Sequence, residues 1–229
     1  MILGFDTEEF VRRALAEDLG KGGDVTSAAT IDADARFSAE LTAREPIVVA
    51  GLDLASAFFR ALDEGVIIEQ QASDGSAVEA GAVLMRLRGN ARAMLSAERC
   101  ALNTLQHLSG IATLTRRYVE EISGTGAILL DTRKTIPGLR ALEKYAARMG
   151  GAQNHRMRLD DGVLIKDNHV AVAGGVVPPF APRRGPTRGS RCRWRSTGSS
   201  RSRKRWKRGR TACSSTIWTR RYFAAQSKW

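Results

Sequence analysis

Apolar positions change period several times along the chain, and each change marks an element. Phe10, Val11, Ala14 and Leu15 recur at helical spacing after Asp6 and run until Gly20; Asp6 with Glu9 can form a capping box, so a first helix is expected there. Between residues 36 and 95 the pattern shortens to strand-like pieces, RFSAELTA, PIVVAGL, GVIIEQQ, AVLMRLRG and ARAMLS, with one helical interval, DLASAFFRALDEG. A small α+β domain accounts for this alternation. From Ser96, read as an N-cap, Leu102, Leu105, Leu108, Ala112 and Val119 fall mostly on one stripe of a long helix that Gly124 ends.

Two further apolar runs, residues 127–130 and 163–165, each end abruptly in a polar cluster. Between them IPGLRALEKYAARMGG has Pro137 at a helix start, Leu139, Leu142, Ala146 and Met149 on one face, and a double-glycine stop. Strand, helix, strand at this spacing predicts a parallel βαβ unit, with both polar clusters at the carboxyl ends of the strands. That edge is where parallel sheets and α/β barrels bind ligands.

Charge divides the chain in a way the whole-chain net of +12 conceals. Residues 1–177 hold 20 Lys and Arg against all 24 Asp and Glu, a net of −4, whereas residues 178–229 hold 16 Lys and Arg, no acid and all four tryptophans. The body is an ordinary Ala/Leu/Val-rich chain, large enough for two small domains. Three scattered cysteines without a CxxC pair supply neither a disulfide framework nor a zinc site, so a reducing cytoplasm is expected. Acids stand near the N-terminus where a signal peptide needs bases, and no apolar run approaches spanning length, so no membrane association is expected. DGSAVEAGAVLMRLRG is similar to the hairpin of lipoyl and biotinyl modules, but lysine is absent from residues 22–133, which leaves a structural hairpin.

Candidate chemistry gathers at the two polar clusters. Arg133, Lys134, Arg156 and Lys166, with His155 beside them, fall at strand and loop tips with few compensating acids. Like charges that gather repel unless an anion holds them, so the expected ligand is small and multiply anionic, a phosphate or carboxylate compound. Neither GxxxxGK[ST] nor GxGxxG after a strand is present, which removes the usual nucleotide loops.

EDLGKGGDVTS, SAERCALNTLQHLSGIAT, DTRKTIPGLRALEKYAARMGGAQNHR and DGVLIKDNHV closely resemble the quinolinate phosphoribosyltransferases, the carboxylating nicotinate-nucleotide pyrophosphorylases of NAD biosynthesis, over essentially all of residues 3–177. The resemblance implies an α/β fold: an N-terminal α/β sandwich with the start of a linking helix over residues 1–108, then the first part of an α/β barrel over residues 109–177. It implies a pentosyltransferase that converts quinolinate and phosphoribosyl pyrophosphate to nicotinate mononucleotide, pyrophosphate and carbon dioxide with Mg2+, as a homodimer. By the same resemblance Arg133, Arg156 and Lys166, with Arg99 reaching over from the neighbouring subunit, would neutralise the two carboxylates. Lys134 and Lys166 would face the ribosyl phosphates, Thr132 belongs to the substrate-binding set, and His155 would be a positioning group; Lys134, Lys166 and His155 form the catalytic set. The alternative is a related pyrophosphorylase-like group associated with molybdenum transport genes, which shares the fold and much of the anion site.

The resemblance stops where the charge changes, between about Gly175 and Pro178. An acid-free basic segment with tryptophans could be a nucleic-acid arm, although no specific nucleic-acid partner is expected. A shifted reading frame explains the missing acids more simply, since GAG read one base late becomes Arg or Ser and GAC becomes Thr. With one base restored, Cys192 to Thr197 permits V-Q-V-E-V-D and the thirteen positions from Trp206 to Trp218 permit V-E-A-G-A-D-G-L-L-L-D-N-M, which is family-like. Residues 178–229 are therefore expected to form a disordered, out-of-frame tail that offers no strand. The family's glutamate and aspartate in those two segments are missing from the chain as written, so it is expected to lack transferase activity.

Overall fold

Capping residues decide where the helices of this computed structural model start; it describes residues 4–172 and 192–194. Asp6 precedes α1 (Thr7–Leu19) and accepts a hydrogen bond from Glu9 N–H at 3.0 Å. The capping box is only half made, because the Glu9 carboxylate takes a 2.9 Å hydrogen bond from Arg12 Nε. Asp24 caps α2 (Val25–Thr30), accepting from Ser27 N–H at 2.9 Å and from the Ser27 and Ser96 hydroxyls. These donors, the Ser27 hydroxyl foremost, hold the Asp24 carboxyl below its ordinary range.

Two compact units follow the chain, Met1–His155 and Arg156–Trp229. In the first, β1 (Arg36–Thr42), β5 (Val83–Asn90) and β3 (Ile67–Gln70) form an antiparallel sheet in the order β1-β5-β3, with Ala39 opposite Leu87 and Ile68 opposite Leu87. β2 (Ile47–Val48) pairs with β4 (Ala77–Val78) as a short second ladder. The core lies where α3 (Leu52–Leu62) meets α4 (Ala91–Glu121). Leu52, Ala55 and Phe58 from α3, Met85 from β5 and Ala97, Ala101, Leu105 and Leu108 from α4 are all buried there. Each large side chain so buried contributes about 1.5–3 kcal/mol.

ARAMLS is helix, not the strand its short apolar run suggests, and the long helix starts at Asn90 rather than Ser96. Asn90 accepts from Ala93 N–H at 3.1 Å, and Ala91, Met94, Ala97 and Ala101 continue the buried stripe at helical spacing. Arg92 Nε also donates to Ile31 O at 2.8 Å, tying this first turn to the end of α2.

Asp74, in the turn before β4, caps α3 from a distance. It accepts from Gly51 N–H at 2.8 Å and Leu52 N–H at 3.1 Å, a service that Gly51, at φ 104°, has no side chain to perform. Tyr145 of α5 (Arg140–Met149) donates its hydroxyl to the same carboxylate at 2.5 Å; burial, and then the proximity of Asp74, push the phenol up. Arg116 of α4 donates to Gly150 O at 3.1 Å, at the other end of α5. Leu139 is the N-cap of α5, so Pro137 stands outside the helix it was expected to begin.

The expected βαβ unit takes a different form. Residues 127–130 contribute only an isolated parallel bridge, Leu130 to Gln153, so their partner across α5 lies just before Asn154 rather than at residues 163–165. In the second unit β6 (Val163–Ile165), followed by α6 (Asp167–Val172), pairs in parallel with β7 (Cys192–Trp194). The tail therefore offers a three-residue strand after all. Ladder hydrogen bonds use only backbone groups, so an open edge such as that of β6 accepts an extended segment whatever its side chains. The remainder of the segment expected to be disordered lies outside the described residues. The architecture is mixed α/β, and among the described residues no helix is long and apolar enough to cross a membrane.

Candidate anion site

The parallel bridge brings two polar segments side by side. Asp131 N–H donates to Gln153 O at 3.1 Å and Gln153 N–H to Leu129 O at 2.9 Å, so residues 131–134 and residues 154–155 leave the same edge. The Asp131 carboxylate closes that edge. Its Oδ1 accepts from Lys144 Nζ of α5 and from His155 N–H at 2.7 Å; its Oδ2 accepts from Asn154 Nδ2 at 2.6 Å, and Asn154 also donates to Lys144 O at 2.8 Å.

The ion pair is enclosed, with the Lys144 and Asp131 side chains 2% and 7% exposed. Removing one partner of such a pair costs about 3–5 kcal/mol, because a buried charge is left uncompensated. Sequence reasoning missed Lys144 and Asn154. Lys144 shares a face with Ala147, three positions on, but a lysine on an amphipathic helix reads as solvated by default.

Further contacts shape the loop after Asp131. Thr132 Oγ1 accepts from Lys134 N–H at 3.0 Å, and Thr135 Oγ1 accepts from Arg140 Nε at 3.2 Å. Glu143 of α5 takes Ile136 N–H on one oxygen at 3.2 Å and meets His107 Nε2 of α4 with the other at 3.1 Å. The expected residues Thr132, Arg133, Lys134 and His155 thus emerge from adjoining segments of one unit. Lys134 is exposed, while Arg133 is half-buried, and its buried Nε has no hydrogen-bond partner among the described residues. Buried polar atoms are rarely left so, which makes this donor a candidate ligand contact.

Arg99 is not brought to this loop by any hydrogen bond or ion pair among the described residues. It is exposed on α4, about 12 Å along the helix from His107. In the second unit Arg156 donates from Nη1 to Gly162 O at 2.8 Å, and its buried Nε is likewise unpartnered. Asp161 Oδ2 folds the intervening loop by accepting from Met157 N–H at 2.7 Å and Arg158 N–H at 3.1 Å. Lys166 follows β6 directly, with its side chain exposed and its N–H donated to His169 Nδ1 at 3.0 Å. Among the described residues no group of three His, Cys, Asp or Glu side chains could hold a metal ion, and both Asp131 oxygens are already engaged. The donor set among the described residues does not fit a protein-held magnesium.

An arginine with a free buried donor, two residues from an acid that is itself neutralised, suits an anionic ligand. Two family models account for most of this chain: the quinolinate phosphoribosyl transferase N-terminal domain matches residues 24–109 and the C-terminal domain of the same family matches residues 111–182. The chain belongs to the quinolinate phosphoribosyl transferase family. It is 47% identical over 172 residues to the carboxylating nicotinate-nucleotide pyrophosphorylase of Mycobacterium leprae, a match covering 73% of this chain and 60% of that protein. A probable enzyme of the same name from Synechocystis is 44% identical, with 74% and 57% covered. Among solved structures, the nicotinate-nucleotide pyrophosphorylase of Francisella tularensis is 41% identical with a TM-score of 0.72, covering 78% of this chain and 64% of that one. Its counterpart from Ehrlichia chaffeensis is 35% identical with a TM-score of 0.79, covering 85% and 70%. The chain thus spans about three-fifths of the length of these two curated family members.

Proposed function

We infer that residues 1–177 come from a carboxylating nicotinate-nucleotide pyrophosphorylase, a cytoplasmic homodimer that joins quinolinate to phosphoribosyl pyrophosphate. The observation that carries this reading is Arg133: a half-buried guanidinium with a free buried donor, beside an aspartate whose charge Lys144 already balances. A planar fork of that kind suits a carboxylate. Quinolinate brings two adjacent carboxylates, met by Arg133, Arg156 and Lys166, with Arg99 supplied by the second subunit. Lys134 and Lys166 face the phosphates, Thr132 lines the substrate, and His155 positions it.

As the pyridine nitrogen attacks the anomeric carbon, negative charge grows on the departing pyrophosphate, and fixed cations favour that transition state. The same cations, with the new pyridinium charge, stabilise the ring carbanion left when carbon dioxide departs. Magnesium would arrive with the diphosphate, since Mg2+ usually keeps its waters and substrate phosphates as ligands; no step here depends on it. The domain division at residues 108 and 109, and a change of reading frame near residue 177, belong to the same reading.

Resequencing the codons around Val176 tests the frame: one additional base there is expected. The corrected protein should release carbon dioxide from quinolinate, and its Arg133→Lys variant should lose about tenfold or more in kcat/KM, because a point charge cannot reproduce a bidentate fork. A corrected protein that binds quinolinate without decarboxylating it would defeat the reading.

A further inference from the structure

We propose that Lys144 is a positioning residue for the anion site, acting through Asp131 and Asn154 to hold the residue 131–136 loop against residues 153–155. The inference rests on the reading of that loop as a quinolinate site. Its physical basis is the enclosure of a full charge pair at the edge where the loop begins. A buried ion pair contributes little net stability, since desolvation offsets its attraction, so a fold seldom needs one for stability alone. What such a pair does supply is a fixed geometry. Asp131 receives Lys144 Nζ, Asn154 Nδ2 and His155 N–H on two oxygens, so one carboxylate ties α5, the loop and the segment at residue 155 together.

The pair also sets the charge of the site. Asp131 precedes Arg133 by two residues, and an uncompensated carboxylate there would oppose the anion that Arg133 is free to bind. With Lys144 bound to it, Asp131 is neutralised and its hydrogen-bonding oxygens are engaged, so the charges of Arg133 and Lys134 remain available to an anion. Lys144 does not touch substrate in this scheme.

Amide hydrogen exchange on the 229-residue chain tests the inference, with Lys144→Met as the first variant and Asn154→Ala as a milder one at an exposed position. The amides of Asp131, Lys134, Ile136, Gln153 and His155, each hydrogen-bonded in the structure, should exchange about tenfold or more faster in Lys144→Met, while the amides of α3 and the first half of α4 keep their protection. Asn154→Ala should show the same selectivity at smaller amplitude, and it decides the matter if Lys144→Met does not fold. Unchanged exchange at these amides, or a uniform increase that includes α3 and α4, would overturn the positioning role. Titration with quinolinate separates the two ideas. Uptake by the parent, weakened about tenfold by Lys144→Met, supports both; no uptake by the parent counts against the site reading, while the exchange pattern still decides the role of Lys144.

Discussion

Asp24 and Lys144 hold the fold in opposite electrostatic settings. The Lys144 ammonium is enclosed against the Asp131 carboxylate, whereas Asp24 is half-buried and gathers three donors from α2 and α4. Those donors favour its ionised form and lower its folded-state pKa. A lowered value means that the contribution is complete above the unfolded-state value and is lost as pH falls through the folded one. Asp24→Asn should therefore reduce the denaturant midpoint by a similar amount at pH 7 and pH 5, with the gap to the parent closing below about pH 4. A gap that stays constant down to pH 3 would mean that Asp24 acts through shape rather than charge.

Helix packing shows where the sequence was legible and where it was not. The first helix, α3, β5 and α5 follow from apolar period because each buries part of its surface, and β1 and β3 follow it more weakly, with Ala39, Leu41 and Ile68 only half-buried against the core. ARAMLS misleads because six residues of mixed character fit either period; Asn90 as cap and Ala97 and Ala101 further on decide it, and a short window does not contain them. At the site, the cationic residues were legible as charges out of balance, but Lys144 was hidden because its burial depends on Asp131, thirteen residues away. Close approach of helices is similarly invisible until α4 and α5 meet. Gly150, with an ordinary φ of −70°, has Ala112 O and Thr115 Cβ where its own Cβ would stand, the latter at 2.5 Å, whereas Gly110 on α4 faces open space. Gly150→Ala should then destabilise by about 1–3 kcal/mol, and Gly110→Ala should stabilise by about 0.4–1 kcal/mol through the unfolded chain. Equal effects in thermal unfolding would contradict the helix contact at Gly150.

Charge is the property that belongs to the whole molecule rather than to any element. Residues 1–177 carry −4 and residues 178–229 carry +16, so the net of +12 describes neither part. A field of that asymmetry attracts polyanions whether or not the segment evolved to bind them, and the attraction comes from counterion release, which carries no sequence information. The 229-residue chain should be retained on heparin and should bind unrelated DNA duplexes with equal affinity at low salt. The logarithm of its binding constant should fall linearly with the logarithm of salt concentration, and retention should fade as the screening length drops toward about 3 Å near 1 M. A chain ending at Val177 should flow through the same column, because its net charge is of the opposite sign. A preference for one DNA sequence or structure that survives added salt would point instead to a nucleic-acid arm read in its proper frame, and would remove the composition argument for a shift near residue 177. Retention of the shortened chain would place the polyanion site in the body, where Arg133 and Lys134 are among the available cations.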